Sequence, residues 1–103
     1  VPMAARMLDR FLASADAECD LIESTIRIGD RRGIASLAHR HRGAAQTMAA
    51  PRVAMLAAEL EQSAAFESIS NLLILVNQLR SLINEVRQEV TGGIVGIDQA
   101  AGS

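Results

Sequence analysis

The chain has 103 residues, half of them hydrophobic, with a formal net charge of −2. That length suits one domain that buries its own core without disulfide or metal staples, and that charge alone marks neither a nucleic-acid binder nor a membrane-surface protein. All ten basic residues are arginine, which excludes a P-loop ATPase, a pyridoxal-phosphate Schiff base and a kinase catalytic lobe, since each needs a lysine.

Good helix formers dominate the whole length. The first helix is predicted from Pro2 to Ile28. Pro2 suits an opening turn, and Leu8, Phe11, Ala15, Cys19, Ile22 and Ile26 recur at the three- and four-residue spacing of one apolar face. This helix has room for a break near Leu8, giving a short N-terminal leader helix. Cys19 is the only cysteine. It reads as a small core residue, and its lack of an internal partner fits a reducing compartment. Gly29-Asp30 reads as a stop followed by a start, with a left-handed glycine cap and an aspartate N-cap.

The second helix is predicted from Arg31 to Met48, with Ile34, Leu37, Ala38, His41, Ala45 and Met48 facing the core. Pro51 opens the third helix, whose Val53, Leu56, Leu60 and Ala64 face inward. The fourth runs from Glu67 to Val90 on a stripe of Ile69, Leu72, Leu73, Val76, Leu79, Ile83, Val86 and Val90. Its aliphatic run from Leu72 to Val76 is core, far short of the ~20 residues that span a bilayer. Short links make neighbouring helices antiparallel. The expected fold is all-α, an antiparallel up-down-up-down four-helix bundle over residues 1–90. A flexible tail is expected over 91–103. The chain opens at Val1 without a methionine, which reads as a fragment of a longer protein or a processed product.

The chemistry concentrates on the second helix. At ~100° per residue, His41 falls in the middle of the core stripe and His39 roughly 150° from it, on the solvent side. His41 is expected to be packed and hydrogen-bonded, His39 exposed and reactive. Ala35 and Ser36 lie one turn before His39, Arg42 and Gly43 one turn after, and Arg32 and Gln46 two turns away. A neutral imidazole near its ordinary pKa of ~6.5 is a good nucleophile toward phosphorus. Arg42 can offer charge-assisted hydrogen bonds to a phosphoryl group, and Gly43 leaves room for a close partner. A mid-helix glycine costs about 1 kcal/mol relative to alanine, so its presence needs a reason. The six arginines of residues 27–52 against Asp30 give that segment a charge of +5, between segments of −3 and −4. A basic patch on an otherwise acidic molecule suits docking to an acidic, magnesium-binding pocket. With two histidines, one cysteine and a histidine pair at i and i+2, no metal site is expected. Lacking Trp and Tyr, the chain is not expected to bind nucleic acid by stacking.

The stretch Leu37-Ala38-His39-Arg40-His41-Arg42-Gly43-Ala44-Ala45 resembles the signature of histidine phosphotransfer (HPt) domains: Ala-His, two residues, a basic residue, glycine, then small residues. The Gly29-Asp30 turn before it and Leu56 through Leu60-Glu61 after it are similar to the family's frame, and the likeness covers roughly residues 8–90. The resemblance implies that His39 accepts a phosphoryl group from the aspartate of one receiver domain and passes it to another. Arg42 then stands for the family's usual lysine as phosphate stabiliser, and Gly43 keeps the docking surface open. Arg32, Ala35, Ser36, Gln46 and Glu61 form the surround. His41 stands where an aliphatic residue is usual, and Ala49-Ala50 where a glycine is common. It further implies a phosphohistidine carrier that is not itself an enzyme, with no cofactor of its own and with Mg2+ on the partner response-regulator receiver. Its setting would be the cytoplasm, at the C-terminal end of a hybrid sensor histidine kinase, with no direct membrane contact. The alternative is a helical interaction or dimerisation module, or a receiver-docking domain, without phosphotransfer.

Overall fold

A computed structural model describes the backbone of residues 3–102 and the side chains of residues 6–90. It contains four helices: α1 (Met3–Arg27), α2 (Arg31–Thr47), α3 (Pro51–Ser63) and α4 (Ile69–Gly102). Each packs on two neighbours, α1 on α2, α2 on α3, α3 on α4 and α4 back on α1, which closes the expected bundle.

The turns form for local reasons. After α1, Gly29 takes φ +76°, and its N–H donates to the Ile26 carbonyl (3.0 Å). Asp30 then caps α2 by accepting the Gly33 N–H at 3.0 Å. At the other end of α2, Ala49 adopts φ +55°, the left-handed conformation that glycine would enter without strain. Pro51 opens α3 as expected. Between α3 and α4, Arg31 reaches across from α2 and donates to the carbonyls of Ala64 (3.0 Å) and Glu67 (2.7 Å). That bond pair satisfies orphan groups at the end of α3 and ties the two turns at one end of the bundle together.

The core runs along the bundle axis through Phe11, Leu12, Ala15, Cys19, Ile22, Ile26, Ile34, Ala38, Leu60, Leu72, Val76, Leu79 and Ile83. Outside it, α4 is clamped to α1 by two arginines. Arg80 donates to Asp20 (2.6 Å) and Glu23 (2.8 Å), and Arg87 to the Leu12 carbonyl (2.9 Å) and Asp16 (3.3 Å).

Two expectations need correction. α1 is continuous, with no separate leader helix. No Gly or Pro near Leu8 interrupts its ladder, and Phe11 and Leu12 carry the buried stripe through that region. The backbone of α4 also stays helical to Gly102, past the end at Val90 read from the hydrophobic pattern. No proline stops it there, and Ile94, Val95, Gln99 and Ala100 are compatible with helix despite the glycines between. The side chains of that extension lie outside the described residues. Among the described residues, no helix is long and apolar enough to cross a membrane.

Candidate functional site

The cap at Asp30 sets the phase of α2. That phase buries Ile34, Ala38, His41 and Ala45 and turns the opposite face outward. His39 stands on that outer face, near the middle of the helix, with 61% of its side chain exposed. The opposite face of the helix is buried through Ile34, Ala38, His41 and Ala45, so the imidazole projects from a packed helix.

Two side chains converge on its Nδ1. Glu61, on the facing side of α3, brings Oε2 to 3.0 Å. Arg42, one turn along α2, brings Nη2 to 3.1 Å. The same guanidinium lies 3.4 Å from Glu61 Oε1 through its Nη1. That separation is an ion-pair distance without hydrogen-bond geometry, and Glu61 Oε1 is left buried with no hydrogen-bond partner among the described residues. In a neutral ring Nδ1 carries either one proton or one lone pair. It therefore donates to Glu61 or accepts from Arg42, never both at once. Among the described residues, Nε2 of His39 makes no hydrogen bond.

Ser36, Gly43, Gln46 and Arg32 are exposed and Ala35 is half-buried. Among the described residues a Cβ built on Gly43 would meet nothing within 4 Å, so packing against them does not require this glycine. Gly33, on the same helix, is the opposite case. There a Cβ would collide with the Asp30 carboxyl group and come within 2.9 Å of Thr25 Cγ2. Arg32 and Arg40 have no carboxylate partner among the described residues, whereas Arg27, Arg42 and Arg52 are paired and Arg31 is committed to carbonyls. The basic patch is real but smaller than the count of arginines suggests.

His41 is packed and hydrogen-bonded, on the core side. Its side chain is 1% exposed, and Nδ1 lies 2.6 Å from Glu18 Oε2 on α1. The ring stacks on Phe11 at a centroid distance of 5.4 Å, and Nε2 is buried without a partner among the described residues. Sequence reasoning missed Glu18. The available signal was its place on the flank of the α1 stripe, about 70° from the stripe's centre, where it faces a neighbouring helix.

The site is an open surface rather than a cleft. A groove of about 480 Å³ lies instead between α3 and α4, lined by Arg52, Leu56, Ile74 and Ser81 among others, away from His39. A flat, exposed imidazole beside small residues and a cation suits a protein partner that brings its own pocket.

The family model described as Hpt domain matches residues 6–89. The chain belongs to the HPt domain family. HPt domains are phosphocarrier modules that serve histidine phosphotransfer in phosphorelays, working with the receiver domains of response regulators. Comparison with curated proteins and with solved structures returned no match. This HPt domain has the family's four-helix bundle, and its matched span contains the whole of α2 and α3 and most of α1.

Proposed function

We propose that His39 is the phosphoacceptor, taking a phosphoryl group from the phosphorylated aspartate of one receiver domain and passing it to the aspartate of another. The observation that carries this reading is the exposed imidazole whose Nδ1 meets Glu61 at 3.0 Å while Nε2 has no partner among the described residues.

In the reactive form Nδ1–H donates to the Glu61 carboxylate and the Nε2 lone pair points outward. That pair attacks phosphorus, the N–P bond forms, and the P–O bond to the receiver aspartate breaks with its electrons leaving on the carboxylate. The ring becomes an N-phosphorylated imidazolium that keeps its proton on Nδ1. Glu61 stabilises the positive charge that develops there. Arg42 turns its guanidinium toward the phosphoryl oxygens. The reverse attack by a second receiver's carboxylate returns the ring to its neutral form. Gly43 leaves the approach open, and Arg32, Ala35, Ser36 and Gln46 border the docked partner.

The divalent cation of this reaction belongs to the receiver. Among the described residues, no group of three or more His, Cys, Asp or Glu could hold a metal. We place the domain in the cytoplasm, as the C-terminal phosphotransfer unit of a hybrid sensor kinase, on the strength of the family resemblance and the lone unpaired cysteine.

The test is phosphoryl exchange with receivers charged by acetyl phosphate and magnesium. Acid-labile label on the native chain and on His41→Gln, but not on His39→Gln, is the expected result. No label from any of several receivers, on a chain shown by circular dichroism to be helical, would leave an interaction module without phosphotransfer.

A further inference from the structure

The His39 site contains two groups that want the same atom in opposite protonation states. Glu61 Oε2, at 3.0 Å, can only accept, so it favours the ring with a proton on Nδ1. Arg42 Nη2, at 3.1 Å, can only donate, so it favours the ring with a lone pair on Nδ1 and the proton on Nε2. The first tautomer has its nucleophilic lone pair on the exposed nitrogen. The second has none there, because Nε2 is protonated.

We propose that Arg42 gates His39: in the resting domain it competes with Glu61 for Nδ1 and holds part of the population in the tautomer that cannot attack, and an incoming phosphoryl group releases it. This inference rests on the reading of His39 as phosphoacceptor and adds its regulation.

The geometry makes the release cheap. The guanidinium is shared between one hydrogen bond, to Nδ1, and the 3.4 Å approach to Glu61 Oε1, which forms no hydrogen bond. Arg42 keeps 32% of its side chain exposed, so its guanidinium has solvent to turn into, and the move uncovers Glu61 Oε1, which is buried in the resting site. A phosphoryl group carries nearly two negative charges and several acceptor oxygens, and it offers the guanidinium a planar, charge-assisted match. Once Arg42 turns to it, Glu61 is the only group left at Nδ1. The proton on Nε2 is given up to water, a proton from water binds Nδ1 and donates to Glu61, and the lone pair is then on Nε2. Arg42 thus acts before the chemistry as a positioning residue, through the protonation state of His39, in addition to contacting phosphate. A point-charge ammonium could not hold both contacts in one plane, which ties this behaviour to arginine rather than lysine at position 42.

Long-range proton–nitrogen correlation spectra of the 15N-labelled chain read the two tautomers of each imidazole directly, above the pH at which the rings are protonated. His41 is the internal reference, because its Nδ1 partner is Glu18 and not Arg42. For His39, Arg42→Ala is expected to raise the ratio of the Nδ1–H to the Nε2–H form by about fivefold, the effect of losing one partly exposed hydrogen bond. Glu61→Ala is expected to lower it. The His41 signals should stay in place in both. A His39 ratio unchanged in Arg42→Ala, with the His41 signals intact, overturns the gate. Failure of the carrier reading is a separate result: no acid-labile label on the wild-type chain from charged receivers, whatever the tautomer ratio does.

Discussion

Two glycines of α2 should respond to the same substitution with opposite signs. At Gly43 an added methyl meets no heavy atom of the described residues within 4 Å. Alanine there gains the helix-propensity difference, about 1 kcal/mol, with no packing cost to set against it. Gly33→Ala gains the same propensity. Its methyl, however, would displace the Asp30 carboxylate from the cap and press on Thr25 Cγ2 at 2.9 Å. Loss of the cap costs about 1 kcal/mol and overpacking about 1–3 kcal/mol more, so the net effect is destabilising by about 1–3 kcal/mol. Urea unfolding followed by far-ultraviolet circular dichroism is the suitable assay, since the chain has neither Trp nor Tyr. With an m-value of about 1–1.5 kcal/mol/M, Gly43→Ala should move the midpoint up by roughly 0.7 M and Gly33→Ala down by at least as much. The stabilised Gly43→Ala chain should nevertheless exchange phosphoryl groups about tenfold more slowly, because the methyl intrudes on the approach of the receiver. A Gly43→Ala chain that is more stable and exchanges at the wild-type rate would refute the docking role of Gly43. One that is less stable would refute the packing argument.

Other consequences follow from particular contacts. His41→Leu should stabilise the fold by about 1 kcal/mol: it removes the unpartnered buried Nε2 and adds apolar burial, against the loss of one bond to a half-exposed Glu18 and of the Phe11 stack. Denaturation midpoints check this, and a loss of stability would mean that the Glu18 pair outweighs the orphaned nitrogen. Burial pushes the Cys19 thiol up to about 11, so it should resist a thiol reagent at neutral pH in the native chain and react at once in urea. Hydrogen bonds from Arg27 first and Arg80 second hold the Glu23 carboxyl below its ordinary value of 4.5. A depressed carboxylate stabilises the fold above its unfolded pKa and loses that contribution as pH falls through the folded one. The stability difference between wild type and Arg80→Ala should therefore be largest near neutrality and shrink in acid, and an acid-independent difference would contradict it.

The parts of this molecule legible in sequence were those set by a single helix. A 100° period separates His39 from His41, and their exposed and buried fates follow from that alone. Gly29, Asp30 and Pro51 announced their turns because each does its work through its own backbone or nearest neighbours. Contacts between helices were harder to read. Nothing in the local pattern pairs Glu18 with His41 across 23 positions, or sends Arg31 to the carbonyls at the end of α3. Small residues also hid their role. Ala54 and Ala57 are core residues of α3, whereas Leu56 is only partly buried, because close helix packing selects size as well as hydrophobicity. Glu61 is legible only through the family likeness. Its approach to Nδ1, and its unsatisfied second oxygen, belong to the folded geometry.

The central claim is that His39 carries the phosphoryl group on Nε2. The most direct measurement is nitrogen–phosphorus coupling in a 15N-labelled chain phosphorylated by a charged receiver. The expected result is one phosphorylated residue, His39, with coupling to Nε2 and a protonated Nδ1. Phosphorus bound to Nδ1, to His41, or to no histidine at all would contradict it.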